Sequence, residues 1–341
     1  MAWTVAIGVD THKDVHVAVA CDRLGGQLDA CEVPASAAGY THLLAWAEAL
    51  GRPAFAIEGC GSYGSGLARF LQASGATVFE CERPRRRERR RGKSDLIDAA
   101  LAARRLVVGE GLGSPRGGGR REELRLLLLE RRGLVGARTA TLNQLQAVLV
   151  SAPERLRVRL GALRGARLAQ AARALRCGSG EERVLVGVLR RLGRRVQQLE
   201  AELAELEAEL EAIVSELVPE LLEECGVGPV CAAQLVASSG DPARMRSEAA
   251  FAALAGTSPV DASSGRQRRH RLNRGGDRQL NRTLHVIALA RVRHDRETAA
   301  YHERLLGSGK TAREARRCVK RALARHFYRR LREIKRLPLT T

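Results

Sequence analysis

Four carboxylates occupy positions at which they could act together. Asp10 and Glu58 each end a predicted strand, while Asp95 and Asp98 stand three residues apart at the start of a predicted helix and so share one face. Carboxylates gathered in one place repel one another unless a cation neutralises them, and oxygen ligands select Mg²⁺ or Mn²⁺. Taken singly, Asp10 could form a turn and Asp95 could cap its helix. As a set they predict a metal site that acts on nucleic-acid phosphates.

The elements around these carboxylates alternate between strand and helix patterns. Strands are predicted over Val5–Asp10, Val15–Cys21, Leu28–Val33, Ala54–Glu58 and Thr77–Cys81, with helices over Ser36–Leu50, about Ser65–Ala73 and from Ser94. Three strands followed by helix, strand, helix, strand and helix is the order of a ribonuclease H-like fold. Strand-end carboxylates of an α/β domain face the ligand side of its sheet. The pattern therefore predicts an α/β domain in front of a helical remainder.

Composition changes divide the chain further. The Gly-rich stretch GEGLGSPRGGG at 109–119 is typical of a flexible connection. We predict a ribonuclease H-like metal-binding domain over 1–108, a linker over 109–120, long helices with a coiled coil over 121–219, and a helical C-terminal domain over 220–341. Eight cysteines show no zinc-ligand spacing and no apolar run approaches the roughly 20 residues that span a bilayer, so we expect a soluble cytoplasmic protein.

A heptad pattern runs through the middle of the chain. Apolar residues alternate three and four apart up to Pro219, at Val196, Leu199, Leu203, Leu206, Leu210, Ile213 and Leu217. This seam would suit an antiparallel hairpin with the preceding long helix or a contact between two subunits. We favour oligomerisation, as a dimer or tetramer.

The charge of the chain predicts a polyanionic partner. The formal net charge is +20, and 58 residues are Lys or Arg. A GC-rich genome would explain the preference for Arg over Lys but not the net charge. A dense basic run precedes Asp95, and we expect it to contact phosphates, which sets affinity and not sequence choice. Its cations are Arg83, Arg85, Arg86, Arg87, Arg89, Arg90, Arg91 and Lys93.

Two short features lie in the rear half. Gly226-Val227-Gly228-Pro229 opens an apolar helix and is typical either of a helix-hairpin-helix whose amides hold a phosphate or of a tight turn between core helices. The polar segment 263–274 predicts a surface loop. A basic amphipathic helix is predicted over 311–336.

Two blocks of sequence carry a resemblance to a known family. The stretches GVDTHKD (8–14), AIEG (56–59) and RGKSDLIDAALAARRL (91–106) resemble the DEDD motif of transposases of insertion-sequence family 110, which includes Piv-type DNA invertases. The rear stretch LAGTSPVDASSGRQRRHRLNRGGDRQLNRTLH (254–285) resembles the C-terminal transposase domain of that family. The two blocks stand in the family's order and cover nearly the full chain.

The resemblance implies a reaction and its residues. It implies Mg²⁺ held by Asp10, Glu58, Asp95 and Asp98, and a serine that forms a covalent phosphoserine link to DNA. The serine that precedes a glycine in the family maps to Ser264, although Ser263 stands beside it. Family members act as oligomers and are guided by a structured RNA encoded beside the gene. Arg266, Arg268 and Arg269 flank this serine and could cradle the scissile phosphate, and Arg271 and Arg274 are further predicted nucleic-acid contacts.

Three other functions compete with this interpretation. A Holliday-junction-resolvase-like nuclease would use the metal site with water and need no protein nucleophile. A site-specific invertase would share both family and chemistry. In a non-catalytic nucleic-acid scaffold the carboxylates would repel the phosphates without serving a reaction, so this function fits the sequence least well. With aromatic residues at 3% a base-stacking platform is not expected.

Overall fold

The computed structural model describes residues 3–81, 94–113, 115, 118–176, 180, 182–239, 247–262, 270–271 and 273–334. These residues form two compact units, one that extends to Glu122 and one that begins at Glu123. The first unit is a mixed α/β structure. The second is almost entirely helical.

A single mixed sheet forms the first unit. Its elements are β1 (Val5–Thr11), β2 (Val15–Cys21), β3 (Gln27–Pro34), α1 (Ala37–Ala49), β4 (Pro53–Glu58), α2 (Ser65–Ala73), β5 (Thr77–Cys81), α3 (Asp95–Val108) and β6 (Leu112–Gly113). The strand order is β3-β2-β1-β4-β5-β6. Strand β1 pairs antiparallel with β2 and parallel with β4, which pairs parallel with β5. This architecture is consistent with the predicted ribonuclease H-like fold.

The alternation of side chains along β1 and β4 decides what each face of the sheet packs against. Val5, Ile7 and Val9 point to one face, where they pack with residues of α1 and α2. Ala6 points to the other face and packs with Ala102 of α3. Both faces are therefore covered, as both faces of parallel strands must be.

The segment predicted as a flexible linker contains regular structure. Leu112 and Gly113 form β6, which pairs antiparallel with the end of β5 through Cys81↔Leu112 and Glu80↔Gly113. The sheet thus gains a sixth strand that the sequence did not predict, because two residues are too short for a periodic signal.

The second unit consists of helices and one short hairpin. Its elements are α4 (Gly119–Val150, which starts in the first unit), α5 (Glu154–Leu160), α6 (Gly165–Arg173), α7 (Glu182–Leu217), α8 (Pro219–Leu222), α9 (Pro229–Ser239), α10 (Glu248–Leu254), β7 (Val260–Asp261), β8 (His270–Arg271), α11 (Arg278–His294), α12 (Arg296–Gly307) and α13 (Ala312–Glu333). In the described part of the chain no helix is both long and apolar enough to cross a membrane.

The two longest helices lie antiparallel within one chain. A guanidinium nitrogen of Arg131 on α4 lies 2.6 Å from the Glu207 carboxylate on α7, and one of Arg138 lies 3.8 Å from that of Glu200. Because the later residue of α4 pairs with the earlier residue of α7, the two helices run antiparallel. Six of the seven heptad positions are already buried in the single chain, namely Val196, Leu203, Leu206, Leu210, Ile213 and Leu217. Of the two predicted arrangements, this geometry favours the intramolecular hairpin.

Candidate active site

Asp10 lies near the end of β1 on the face that α3 covers. The nearest side-chain position on that face is Gly8, where a Cβ atom would lie 2.0 Å from the carbonyl oxygen of Ala99 and 2.2 Å from the amide nitrogen of Ala103. Because side chains alternate along a strand, Asp10 points to the same face two residues later. Only a glycine lets α3 approach β1 so closely, and this approach brings the start of α3 to Asp10.

Glu58 ends the neighbouring strand β4. The parallel register pairs Val9 with Ile57, so Glu58 follows beside Asp10. Ala54 and Ala56 pack on the α3 side of the sheet, and alternation directs Glu58, which is half-buried, to that side too. The hydroxyl of Thr11 donates a hydrogen bond of 2.7 Å to the Glu58 carbonyl oxygen, which ties the ends of β1 and β4 together.

Asp95 and Asp98 begin α3, as predicted. Asp95 is the first residue of the helix, and its side chain is 47% exposed. Asp98 lies one turn further and is buried. Together with the strand ends, α3 brings three of the predicted carboxylates, Asp10, Asp95 and Asp98, into electrostatic range of one another.

His12 joins this group, although it was not among the predicted site residues. Its Nε2 atom lies 3.3 Å from Oδ2 of Asp10 and 3.3 Å from Oδ2 of Asp95. Single donor atoms of these three residues all lie within 4.8 Å of one another, which is close enough to hold one metal ion. The signal in the sequence was the spacing Asp10-x-His12, since residues two apart in an extended chain point the same way. Among the described residues, Glu58 and Asp98 are not part of this tight group.

Burial, His12 and two neighbouring carboxylates set the electrostatics of Asp10. Burial raises the pKa of the Asp10 carboxyl. The adjacent His12 opposes that rise, while the carboxylates of Asp95 and Asp98 reinforce it, and the pKa stays above its ordinary value. A divalent cation at this point would remove the repulsion, so the donor set fits a divalent metal.

The group opens onto a cleft in the first unit. The cleft has a volume of about 490 Å³ and is lined by His12, Lys13, Asp14, Val15, Val17, Glu32, Tyr63 and Asp95. Because His12 and Asp95 are both about half exposed there, a phosphate-bearing ligand could reach the group from solvent.

Several predicted residues lie outside the part of the chain that the structure describes. They are Ser263, Ser264, Arg266, Arg268, Arg269 and the basic run Arg83, Arg85, Arg86, Arg87, Arg89, Arg90, Arg91 and Lys93. Of the predicted nucleic-acid contacts, only Arg271 and Arg274 are described, and both are exposed.

Described residues on both sides of the serine segment pair with each other in the second unit. Strands β7 and β8 pair through Val260↔Arg271 and Asp261↔His270, so residues 262–269 connect the two strands of a hairpin. Beyond β8, Gly276 adopts φ +84°, and a Cβ there would lie 2.4 Å from the carbonyl oxygen of Leu254. The chain that follows β8 is therefore held against the end of α10.

Hydrogen bonds reinforce this contact. The Asp277 carboxylate caps α11 through the amides of Gln279 and Leu280, and its other oxygen accepts a bond of 2.5 Å from the Ser238 hydroxyl. The Asn281 amide donates to the carbonyl oxygen of Ala255 at 2.6 Å. These contacts give the Arg-Gly-Gly-Asp stretch of the rear block a structural role.

The Gly226–Pro229 turn is explained in part by packing. Gly226 adopts φ +79°, and a Cβ there would lie 2.9 Å from the Cβ of Ala290 on α11. Nothing lies within 4 Å of the corresponding position at Gly228. Gly226 thus fits the tight-turn interpretation, whereas phosphate binding by this turn stays a prediction.

Comparison with known protein families gives two matches. A model of DEDD transposases of the IS110 type, described as a transposase, matches residues 7–152. A second model, described as a transposase of the IS116/IS110/IS902 family, matches residues 219–303. No curated protein matches the chain. Since both halves match models of one transposase family, in the order of the two sequence blocks, the chain belongs to the IS110 family of transposases.

Proposed function

We propose that this transposase cuts and rejoins DNA with two separate groups, a divalent-metal site in the first unit and a serine nucleophile in the second. The observation that carries the proposal is the convergence of Asp10 and Asp95 on one point from different elements. Two carboxylates so placed, with Asp98 buried close by, leave a concentration of negative charge that a cation would neutralise.

The residues that would hold the metal are Asp10, Glu58, Asp95 and Asp98. Mg²⁺ or Mn²⁺ bound there would supply Lewis-acid stabilisation of charge on the phosphate oxygens. The chain's own contribution is to keep the carboxylates in place: α3 fixes Asp95 and Asp98, and the Thr11 hydrogen bond fixes the end of β4 beside β1.

The proposed nucleophile is Ser264, which precedes Gly265. Its hydroxyl oxygen attacks a DNA phosphorus and displaces one sugar oxygen, which leaves a phosphoserine ester and a free sugar hydroxyl. The proton lost by the serine balances the proton gained by the sugar oxygen. Attack by a sugar hydroxyl from another strand reverses the step, rejoins the DNA and regenerates the serine. The pairing of β7 with β8 on either side of the serine segment supports this role, because a nucleophile needs neighbours with a defined position.

The proposed partners are donor and target DNA, a guide RNA encoded by the element, and further copies of the chain. A net charge of +20 suits two nucleic acids at once. Delegating sequence choice to a guide would also fit a chain with few aromatic residues for stacking on bases.

A denaturing-gel assay tests the proposal. Purified full-length protein is mixed with the noncoding RNA that flanks its gene, end-labelled donor and target DNA, and Mg²⁺. Wild type is compared with Ser264→Ala, Ser263→Ala and Asp98→Ala. We expect label to become covalently attached to the wild type and to Ser263→Ala, and to neither of the other variants.

The alternatives give different gels. Cleaved DNA without an adduct, lost in Asp98→Ala but retained in Ser264→Ala, would indicate the resolvase-like nuclease and refute the serine mechanism. An adduct lost only in Ser263→Ala would move the nucleophile by one residue.

A further inference from the structure

The tight donor group at the end of β1 contains a nitrogen atom as well as carboxylate oxygens. His12 Nε2 lies 3.3 Å from one oxygen each of Asp10 and Asp95. In an octahedral complex with bonds of about 2.1 Å, neighbouring ligand atoms are about 3.0 Å apart. The two distances are therefore close to those between adjacent ligands of one ion.

The backbone holds His12 in this position. The amide nitrogen of His12 donates a hydrogen bond of 3.1 Å to the carbonyl oxygen of Val15, which closes the short turn between β1 and β2. The imidazole side chain is 47% exposed and lines the open cleft. An ion arriving from solvent would meet the imidazole and Asp95 together, with the more buried Asp10 behind them.

From this geometry we infer that His12 is a metal ligand, so that the ion in the first unit is held by a mixed nitrogen and oxygen set and not by carboxylates alone. The inference rests on the proposed metal site. It adds His12 to the ligands of that site and predicts which metal ion the site prefers. An imidazole donor favours first-row transition ions over Mg²⁺, which prefers oxygen. We therefore expect the site to bind Mn²⁺ more tightly than Mg²⁺ because of His12.

The test uses Mn²⁺ as the probe and full-length metal-free protein. Pulsed electron paramagnetic resonance detects the ¹⁴N nucleus of an imidazole bound to Mn²⁺, and a Mn²⁺ titration with Mg²⁺ competition gives both affinities. The variants are His12→Ala, His12→Asp and Asp10→Asn. His42→Ala is the matched control, because His42 is an exposed histidine on α1 of the same unit.

We expect ¹⁴N coupling in the wild type and in His42→Ala, and none in His12→Ala. Removal of an outer-sphere partner costs about 10–100-fold in metal affinity, so loss of a direct donor should weaken Mn²⁺ binding at least tenfold. Mg²⁺ binding should weaken less. In His12→Asp, which exchanges nitrogen for oxygen, the preference for Mn²⁺ over Mg²⁺ should fall below that of the wild type.

Two results would overturn the inference in distinguishable ways. In the first, Asp10→Asn abolishes Mn²⁺ binding, but the wild type shows no ¹⁴N coupling or His12→Ala retains the ¹⁴N coupling. The carboxylate site then stands, and the role of His12 is refuted. If Mn²⁺ binding is unchanged in Asp10→Asn, the proposed metal site itself fails, and the inference fails with it.

Discussion

A Cβ atom on Gly8 would lie 2.0 Å from the carbonyl oxygen of Ala99, so β1 and α3 touch through their backbones. This contact stands two residues before Asp10 and one turn after Asp95. It determines how far the strand-end carboxylate lies from the helix-start carboxylates. The geometry of the proposed metal site therefore depends on a residue that carries no functional group.

Gly8→Ala should disrupt both the fold and the site. The added methyl group meets backbone atoms of α3, which cannot rotate away as a side chain could, so α3 must move. We expect the free energy of unfolding to fall by about 3 kcal/mol, at the upper end of overpacking costs, and Mn²⁺ affinity to fall with it. Urea denaturation and a Mn²⁺ titration measure the two effects. Gly118→Ala is the control, since nothing lies within 4 Å of its Cβ position. Equal stability of the two variants would contradict the close contact.

Asp10→Asn should make the metal-free protein more stable at neutral pH. The pKa of Asp10 is raised in the folded chain, chiefly by burial, so its ionisation costs stability as the pH rises through that pKa. We expect a gain of about 1 kcal/mol at pH 7 that disappears in acid, below the ordinary range of an Asp carboxyl. Thermal or urea unfolding across pH checks this, with the exposed Asp14→Asn as control. Added Mn²⁺ should reverse the order, because it stabilises only the form that binds it. A less stable Asp10→Asn at pH 7 without metal would refute the prediction.

Glu224→Gln should destabilise the second unit. The Glu224 carboxylate, 15% exposed, accepts bonds from Arg291 at 2.5 Å, His326 at 3.0 Å and Arg330 at 3.0 Å. Burial alone would raise the pKa of Glu224, but His326 first, and then Arg291, hold it below its ordinary value. The stabilisation is therefore present above the ordinary Glu pKa and is lost as the pH falls through the lowered one.

At neutral pH we expect this substitution to cost about 3 kcal/mol, because it leaves partly buried cations without their counter-charge. In strong acid the free energies of unfolding of the wild type and of Glu224→Gln should become equal. Glu333→Gln is the control, since Glu333 is 61% exposed and contacts Arg330 at the surface, where about 0–1 kcal/mol is expected. Denaturation curves at several pH values measure both, and a loss for Glu224→Gln no larger than for the control would exclude the cluster as a stabilising element.

Arg271→Ala and Arg274→Ala should each weaken DNA binding in a salt-dependent way. Both side chains are exposed beside the serine segment, so each is expected to contact one phosphate. Removing one such contact reduces the slope of log affinity against log salt by about 1, equally for all DNA sequences. Fluorescence anisotropy at several salt concentrations measures the slope. The control is Arg329→Ala, whose guanidinium already pairs with Glu248 at 2.7 Å. Slopes unchanged from the wild type would exclude phosphate contact by Arg271 and Arg274.

Local patterns in the sequence determined most of the first unit. The β-branched run before Asp10 and the apolar run before Glu58 predicted β1 and β4, although β1 continues one residue past Asp10, to Thr11. Helix-start chemistry predicted a helix from Ser94 with Asp95 in its first turn, and the structure has Ser94 as the N-cap and Asp95 as the first residue of α3. The DEDD motif and the C-terminal stretch 254–285 were identified from the amino-acid sequence alone, and both lie within matches to models of the same transposase family.

Only the tertiary structure decided which parts meet. The alternation that directs Asp10 and His12 to one side is local, but their convergence with Asp95 depends on α3 packing over Gly8, a contact between residues about 90 positions apart. Likewise, the heptads of α7 would suit a partner subunit or another helix of the same chain equally well. In the structure α6 and α9 pack against α7, and the ion pairs Arg131–Glu207 and Arg138–Glu200 join it to α4. A periodic pattern indicates that one face of a helix must be buried. Which element covers that face depends on packing between distant parts of the chain, and no single segment contains that information.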